Sequence, residues 1–148
     1  MRILILPDAA TVGLSAARFI ADAIREKLAA AIGLAAGASP LAAYDELIRM
    51  HRAGEIDLSR IAVFGLDEYL GLDPEHPASC AFTLRRRLIE PADVPESRVH
   101  LLDGLPKENA AMRCTAHERA VAAAGGLDLQ ILGLGVNGHI GFNEPGAS

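Results

Sequence analysis

Cysteine is scarce in this sequence. Cys80 and Cys114 are the only two in 148 residues, 34 positions apart. That spacing is neither a disulfide framework nor a zinc-ligand pattern, so a reducing, cytoplasmic setting fits best. Positive charge is also short: 14 lysines and arginines face 19 aspartates and glutamates, for a net charge of −5. The balance argues against nucleic acid or an acidic membrane surface as a partner, since both select basic patches. Long hydrophobic runs are missing too. Ile3-Leu4-Ile5-Leu6 is shorter than the roughly 7–15 residues of a signal-peptide core, and Pro7-Asp8 ends it. The longest uncharged stretch, 28–44, is mostly alanine and glycine and is broken by Ser39-Pro40. It falls short of the about 20 mainly apolar residues of a membrane span. There is no internal repeat, low-complexity tract or linker. His76 and Cys80 share an H-x3-C spacing but have no second pair to complete a site, so no metal is expected.

What is present is a globular chain. Apolar residues make up 51% and charged residues 22%, enough to bury a core, and the length suits one domain over 1–148. Short β-type runs alternate with longer helical patterns. Strands are expected at 2–6, 30–35, 60–66, 98–102 and 127–134. The last is apolar on both faces and is expected to be central. Asp8 suits an N-cap for a helix to about 27, whose apolar stripe runs through Val12, Ala16, Phe19, Ile20, Ala23, Ile24 and Leu28. Ser39-Pro40 reads as a capped start for a helix closed by Gly54. Further helices are expected at 79–89 and 107–124, the second ended by Gly125-Gly126. Cys114 is expected to pack half-buried on that second helix, and Arg85-Arg86-Arg87 to form a solvated face. The alternation predicts an α/β fold, a mostly parallel sheet with helices on both faces.

Ligands of open parallel sheets bind outside the carboxyl ends of the strands. Three polar or glycine-rich segments follow expected strands, and the topology places all three on that rim. In 33–40 (GLAAGASP), Gly37, Ala38 and Ser39 fit a phosphate cradle at a helix start, or an ordinary capped glycine turn. In 66–69 (LDEY), Asp67 or Glu68 can face the site and move a proton on and off carbon; the bland reading is a solvated acidic pair. In 135–145 (GVNGHIGFNEP), His139 can exchange a proton near neutral pH, with Glu144 as an orienting carboxylate and Asn137 and Asn143 nearby.

These residues resemble a known family. LDEYLGL (66–72), HPAS (76–79) and LGLGVNGHIGFNEPG (132–146) are similar to the glucosamine-6-phosphate deaminase (isomerase) family, and 33–40 looks like a divergent copy of its glycine loop. The resemblance covers essentially the whole chain. It implies a modified Rossmann-like α/β fold and a cytoplasmic enzyme free of metal and cofactor. The implied reaction converts glucosamine 6-phosphate and water to fructose 6-phosphate and ammonia. Asp67 is then the base shuttling a proton between sugar carbons 2 and 1, and His139 assists ring opening. Glu144 holds and tunes His139, Asn137 stands where some members have aspartate, and Ser39, Ala38 and Gly37 hold the substrate. Ala36 and Ala38 stand where the family commonly has threonine and glycine. The resemblance also implies that family members run on beyond this chain, with later strands and basic residues for the sugar phosphate. The alternatives are a sugar-phosphate lactonase or another amino-sugar-phosphate isomerase, or a truncated remnant that binds sugar phosphate without turnover. Homo-oligomers are expected, because a last strand left uncovered promotes self-association.

Overall fold

The computed structural model describes residues 2–146. Its frame is a parallel four-stranded sheet with the order β3-β2-β1-β4: β1 (Ala31–Leu34), β2 (Ala62–Gly65), β3 (Val99–His100) and β4 (Leu129–Gln130). Helices α1 (Ala9–Glu26), α2 (Leu41–Arg52), α3 (Cys80–Leu84) and α4 (Ala110–Ala123) supply the layers. Strand and helix alternate as expected, and the class is α/β.

Asp8 caps α1, its carboxylate accepting from Thr11 N–H at 2.7 Å. The buried face differs from the expected stripe. Gly13, Ala17, Ile20, Ala21 and Ile24 point inward, while Val12, Phe19 and Leu28 remain exposed. Close helix packing explains the rotation: a Cβ at Gly13 would sit 2.5 Å from the Ala42 Cβ. Small side chains let α1 and α2 approach, whereas a larger stripe would hold them apart. Together with α2, α1 covers one face of the sheet, where Ile32, Leu34 and Val63 join Tyr44, Leu47 and Ile24 in the core. From α3 the chain continues as one π-helical stretch, Arg85–Ile89. Its wider turn sends Leu88 and Ile89 into the same core as Leu84 of α3. Arg85, Arg86 and Arg87 stay outside, paired with Glu96, Glu90 and Asp45.

Three expectations are corrected. Residues 2–6 form no strand; no described strand pairs with them, and Ile5 is 94% exposed. A β-type sequence needs a neighbour to complete its ladder. The last strand is confined to Leu129–Gln130 and lies at the sheet edge, not its centre, because only β1 flanks it. Apolar composition signals a capacity for burial, and Leu134 is nevertheless 72% exposed. Helix α4 buries no residue, and Cys114 on it is exposed rather than packed. Among the described residues, no helix is long and apolar enough to cross a membrane.

Candidate active site

The loops after β1, β2 and β4 meet at the carboxyl rim around one cavity of about 460 Å³. The first loop is fixed from below. The buried Tyr44 hydroxyl of α2 donates to the Ala35 carbonyl at 2.7 Å. Helix α2 starts at Leu41, with Pro40 as a cap that makes no side-chain hydrogen bond. The expected serine cap is therefore absent. Ser39 is exposed and lines the cavity beside Gly37 and Ala38. A Cβ at Gly37 would meet nothing within 4 Å. This glycine keeps the mouth open; it does not satisfy a special backbone angle. Ala38 has no positive φ, so its Cβ adds no strain.

The second loop separates two adjacent carboxylates, as strand-end alternation allows. Glu68 turns to the start of α3. Its oxygens accept from Ser79 Oγ at 2.6 Å and from the backbone N–H groups of Tyr69, Cys80 and Ala81 at 2.8, 3.0 and 2.9 Å. Partial burial raises the Glu68 carboxyl, but these donors outweigh it and hold it below the ordinary range. Asp67 faces the cavity. Burial, reinforced by the neighbouring Glu68 charge, raises its carboxyl above the ordinary range, against the lowering effect of a hydrogen bond from Cys80. A half-buried carboxylate with few donors is a stronger base than a solvated one.

The third loop folds on itself. Gly135 N–H donates to the His139 carbonyl at 2.9 Å, and Ile140 and Asn143 form an antiparallel bridge. Asn137 Nδ2 donates to Glu144 Oε2 at 2.6 Å, and Asn137 Oδ1 lies 2.8 Å from His139 Nδ1. The carboxylate can only accept, so the amide presents its NH2 to Glu144 and its oxygen to the ring. Nδ1 then carries the proton and Nε2 presents its lone pair. Glu144 lies 3.9 Å from Nδ1. Its shorter link to His139 runs through Asn137. Two glycines fit this packing. A Cβ at Gly135 would overlap the His139 ring, and one at Gly141 (φ +58°) would lie 3.0 Å from Asp67 Oδ2. Gly141 thus brings the third loop against the second.

Of the expected site residues, Gly37, Ala38, Ser39, Asp67, His139 and Glu144 line one cavity, and Asn137 stands behind His139. Sequence reading missed Cys80, whose Sγ lies 3.7 Å from Asp67 Oδ1. It also missed Tyr69 and Phe142, whose rings touch across the rim at 4.7 Å between centroids. The signal for Cys80 was its place just after HPAS (76–79). Among the described residues, no lysine or arginine lines the cavity.

Comparison with known proteins adds what the chain is similar to. Residues 8–141 match the family described as glucosamine-6-phosphate isomerases/6-phosphogluconolactonase. A glucosamine-6-phosphate deaminase of Arthrobacter sp. (strain FB24) is 47% identical over the whole chain, which spans 56% of that protein. One from Bifidobacterium longum is 44% identical, with 57% of it spanned. A solved monomeric glucosamine-6-phosphate deaminase superposes with a TM-score of 0.93 at 37% identity, over all of this chain and 61% of that one. The 6-phosphogluconolactonase of Thermotoga maritima gives 0.75 at 28% identity, over 93% of this chain and 61% of its own. With the family match running over residues 8–141 and the sheet shared with these solved structures, the chain is a member of the glucosamine-6-phosphate isomerase/6-phosphogluconolactonase family.

Proposed function

We propose that residues 1–148 act as one α/β unit carrying the proton-transfer machinery of a glucosamine-6-phosphate deaminase. The substrate class is an amino-sugar phosphate, and the products are fructose 6-phosphate and ammonia. The observation that carries this reading is the convergence of Asp67, the His139–Asn137–Glu144 chain and the open 37–39 loop on one cavity. The reaction needs an open ring: His139 Nε2 takes the proton of the anomeric hydroxyl and delivers it to the ring oxygen as the bond from carbon 1 to that oxygen breaks, while Asn137 holds the imidazole orientation. Asp67 then takes the proton from sugar carbon 2 and returns it to carbon 1. The imine left at carbon 2 adds water and releases ammonia. Each assisted proton transfer is worth roughly 10²–10⁴-fold. Ser39 and the backbone of Gly37 and Ala38 hold the phosphate. The chemistry calls for no metal or cofactor, because every step is a proton transfer or an addition to carbon.

The test is ammonia release from glucosamine 6-phosphate by the whole chain. Asp67→Asn removes the base and is expected to lower release by roughly 10²–10⁴-fold. Equal release by both proteins ends Asp67's role. A chain that hydrolyses a sugar-phosphate lactone and releases no ammonia supports the lactonase reading, since opening a lactone needs no carbon base. Binding without turnover supports a non-catalytic role.

A further inference from the structure

We propose that the knot formed by Glu68, Ser79 and Cys80 is a positioning device for Asp67, with the Cys80 thiol as the direct donor that sets which carboxylate oxygen faces the substrate. The proposal rests on the reading of Asp67 as the base. Ser79 is fully buried, at 0% exposure. Its hydroxyl donates to Glu68 and accepts from Phe82 N–H at 3.2 Å, so it serves both ends of the knot. Glu68 also binds the Cys80 and Ala81 amides, tying the loop after β2 to the first turn of α3. This leaves the Cys80 side chain little choice of direction. Its Sγ lies 3.7 Å from Asp67 Oδ1, while Asp67 Oδ2 faces the place where a Gly141 Cβ would stand. The two oxygens are thereby distinguished: one is engaged by the thiol, and the other lies against Gly141 of the third loop.

The thiol suits this task. Burial, followed by the charges of Glu68 and Asp67, pushes it up to about 12. It therefore remains a donor across the physiological range and does not compete with Asp67 as a base. A thiol is a weak donor. It orients the carboxylate without binding its charge so firmly that Asp67 ceases to be basic. Glu68 matters as the anchor: loss of its side chain leaves the Cys80 and Ala81 N–H groups at the start of α3, and that of Tyr69, without their acceptor.

The experiment follows Asp67 itself. Carboxyl-13C aspartate is incorporated into the whole chain, the resonance is assigned by its loss in Asp67→Asn, and its midpoint is read in a pH titration. Cys80→Ser keeps a donor in place, and Cys80→Val removes it at similar volume; both leave the Glu68 cap intact. Glu68 is a poor probe here, because its charge acts on Asp67 whatever it positions. The expected order is a midpoint for Val above wild type, with Ser at or below wild type. Identical midpoints in all three proteins, or Ser moving with Val, overturn the proposal. Unchanged amide shifts in α2 show that the fold is kept. Where the wild type releases ammonia, Cys80→Val should lower kcat about fivefold with KM held, the worth of one neutral hydrogen bond, and Ser should restore it. A wild type that releases none removes the deaminase reading and leaves the carboxyl titration to decide this proposal alone.

Discussion

The two faces of the sheet are built to different standards. On one, α1, α2 and the turns 84–89 bury Ile32, Leu34, Val63, Tyr44 and Leu47 in a continuous core. On the other, Phe64 lies between His100, stacked at 4.5 Å, and His117 of α4, edge-on at 5.9 Å, and α4 buries nothing. The candidate site draws on both. Ser39 and Asp67 hang from β1 and β2, the two buried strands. The His139 loop follows β4, an edge strand registered to β1 at two residues. An Asp128 carboxylate helps hold that edge, accepting from Ala31 N–H and from Lys27 at 2.8 Å each. The difference teaches where rigidity comes from in this chain: the carboxylate half of the site is held by the core, and the imidazole half mainly by its own hydrogen bonds.

The sharpest way to break this comparison is to truncate a side chain on each face. Leu47→Ala in the packed core should cost roughly 2–5 kcal/mol, the range for buried leucine truncation. Met112→Ala on the exposed side of α4 should stay within about 0.5 kcal/mol. Urea unfolding of the two variants measures both. Similar losses would mean that α4 is packed as firmly as α2.

The same contrast explains how much was legible in the sequence. The strand–helix order, the three rim loops, the acidic pair 67–68 and the residues His139 and Glu144 follow from local pattern, because turn glycines and strand ends are set by nearby residues. Burial was not legible in the same way. The α1 stripe was displaced because Gly13 and Ala17 pack by being small, a property that hydrophobicity does not register. Residues 2–6 and 127–134 carry strand composition, yet pairing depends on a neighbour that the local sequence does not specify. The acidic pair 67–68 was legible as a pair. Which member faces the cavity depends on the α3 amides, some dozen residues away. Likewise Glu144 was found, but its route to His139 through Asn137 is a matter of side-chain geometry.

A smaller effect probes the imidazole half. Asn137→Ala removes the one group bonded to both His139 and Glu144. Ammonia release should fall roughly tenfold, about one charge-assisted hydrogen bond's worth. Stability should change little, because Asn137 is exposed. A large loss of stability would mean that this loop is held from within more tightly than the comparison implies. Exposed apolar side chains should also show in solution. Ile5, Leu134 and Val136 are exposed apolar side chains outside the packed core, and such surfaces self-associate. The chain is expected to sediment with a concentration-dependent mass, and Leu134→Lys to shift it toward monomer. A wild type that stays monomeric at high concentration counts against this.

The smallest expected effect lies within the carboxylate half, where Asp67 and Glu68 should respond to pH in opposite directions. Asp67 is held above its ordinary value of 3.8, chiefly by burial. Its contribution to stability is present below that value and is lost as pH rises through the folded-state value. Glu68 is held below its ordinary 4.5: burial pushes it up, but its hydrogen bonds outweigh that. Its contribution is present above 4.5 and is lost as pH falls through the folded-state value. Asp67→Asn should therefore gain stability relative to wild type as pH rises from acid to neutral. Glu68→Gln should lose stability at neutral pH, and the loss should shrink in acid. Both follow from denaturant midpoints measured along a pH series, and two variants changing with the same sign would show that the neighbouring carboxylates share one environment. The same raised carboxyl sets the acid limb of ammonia release. Asp67 must be ionised to act as a base, so that limb should lie at higher pH than an ordinary aspartate would give.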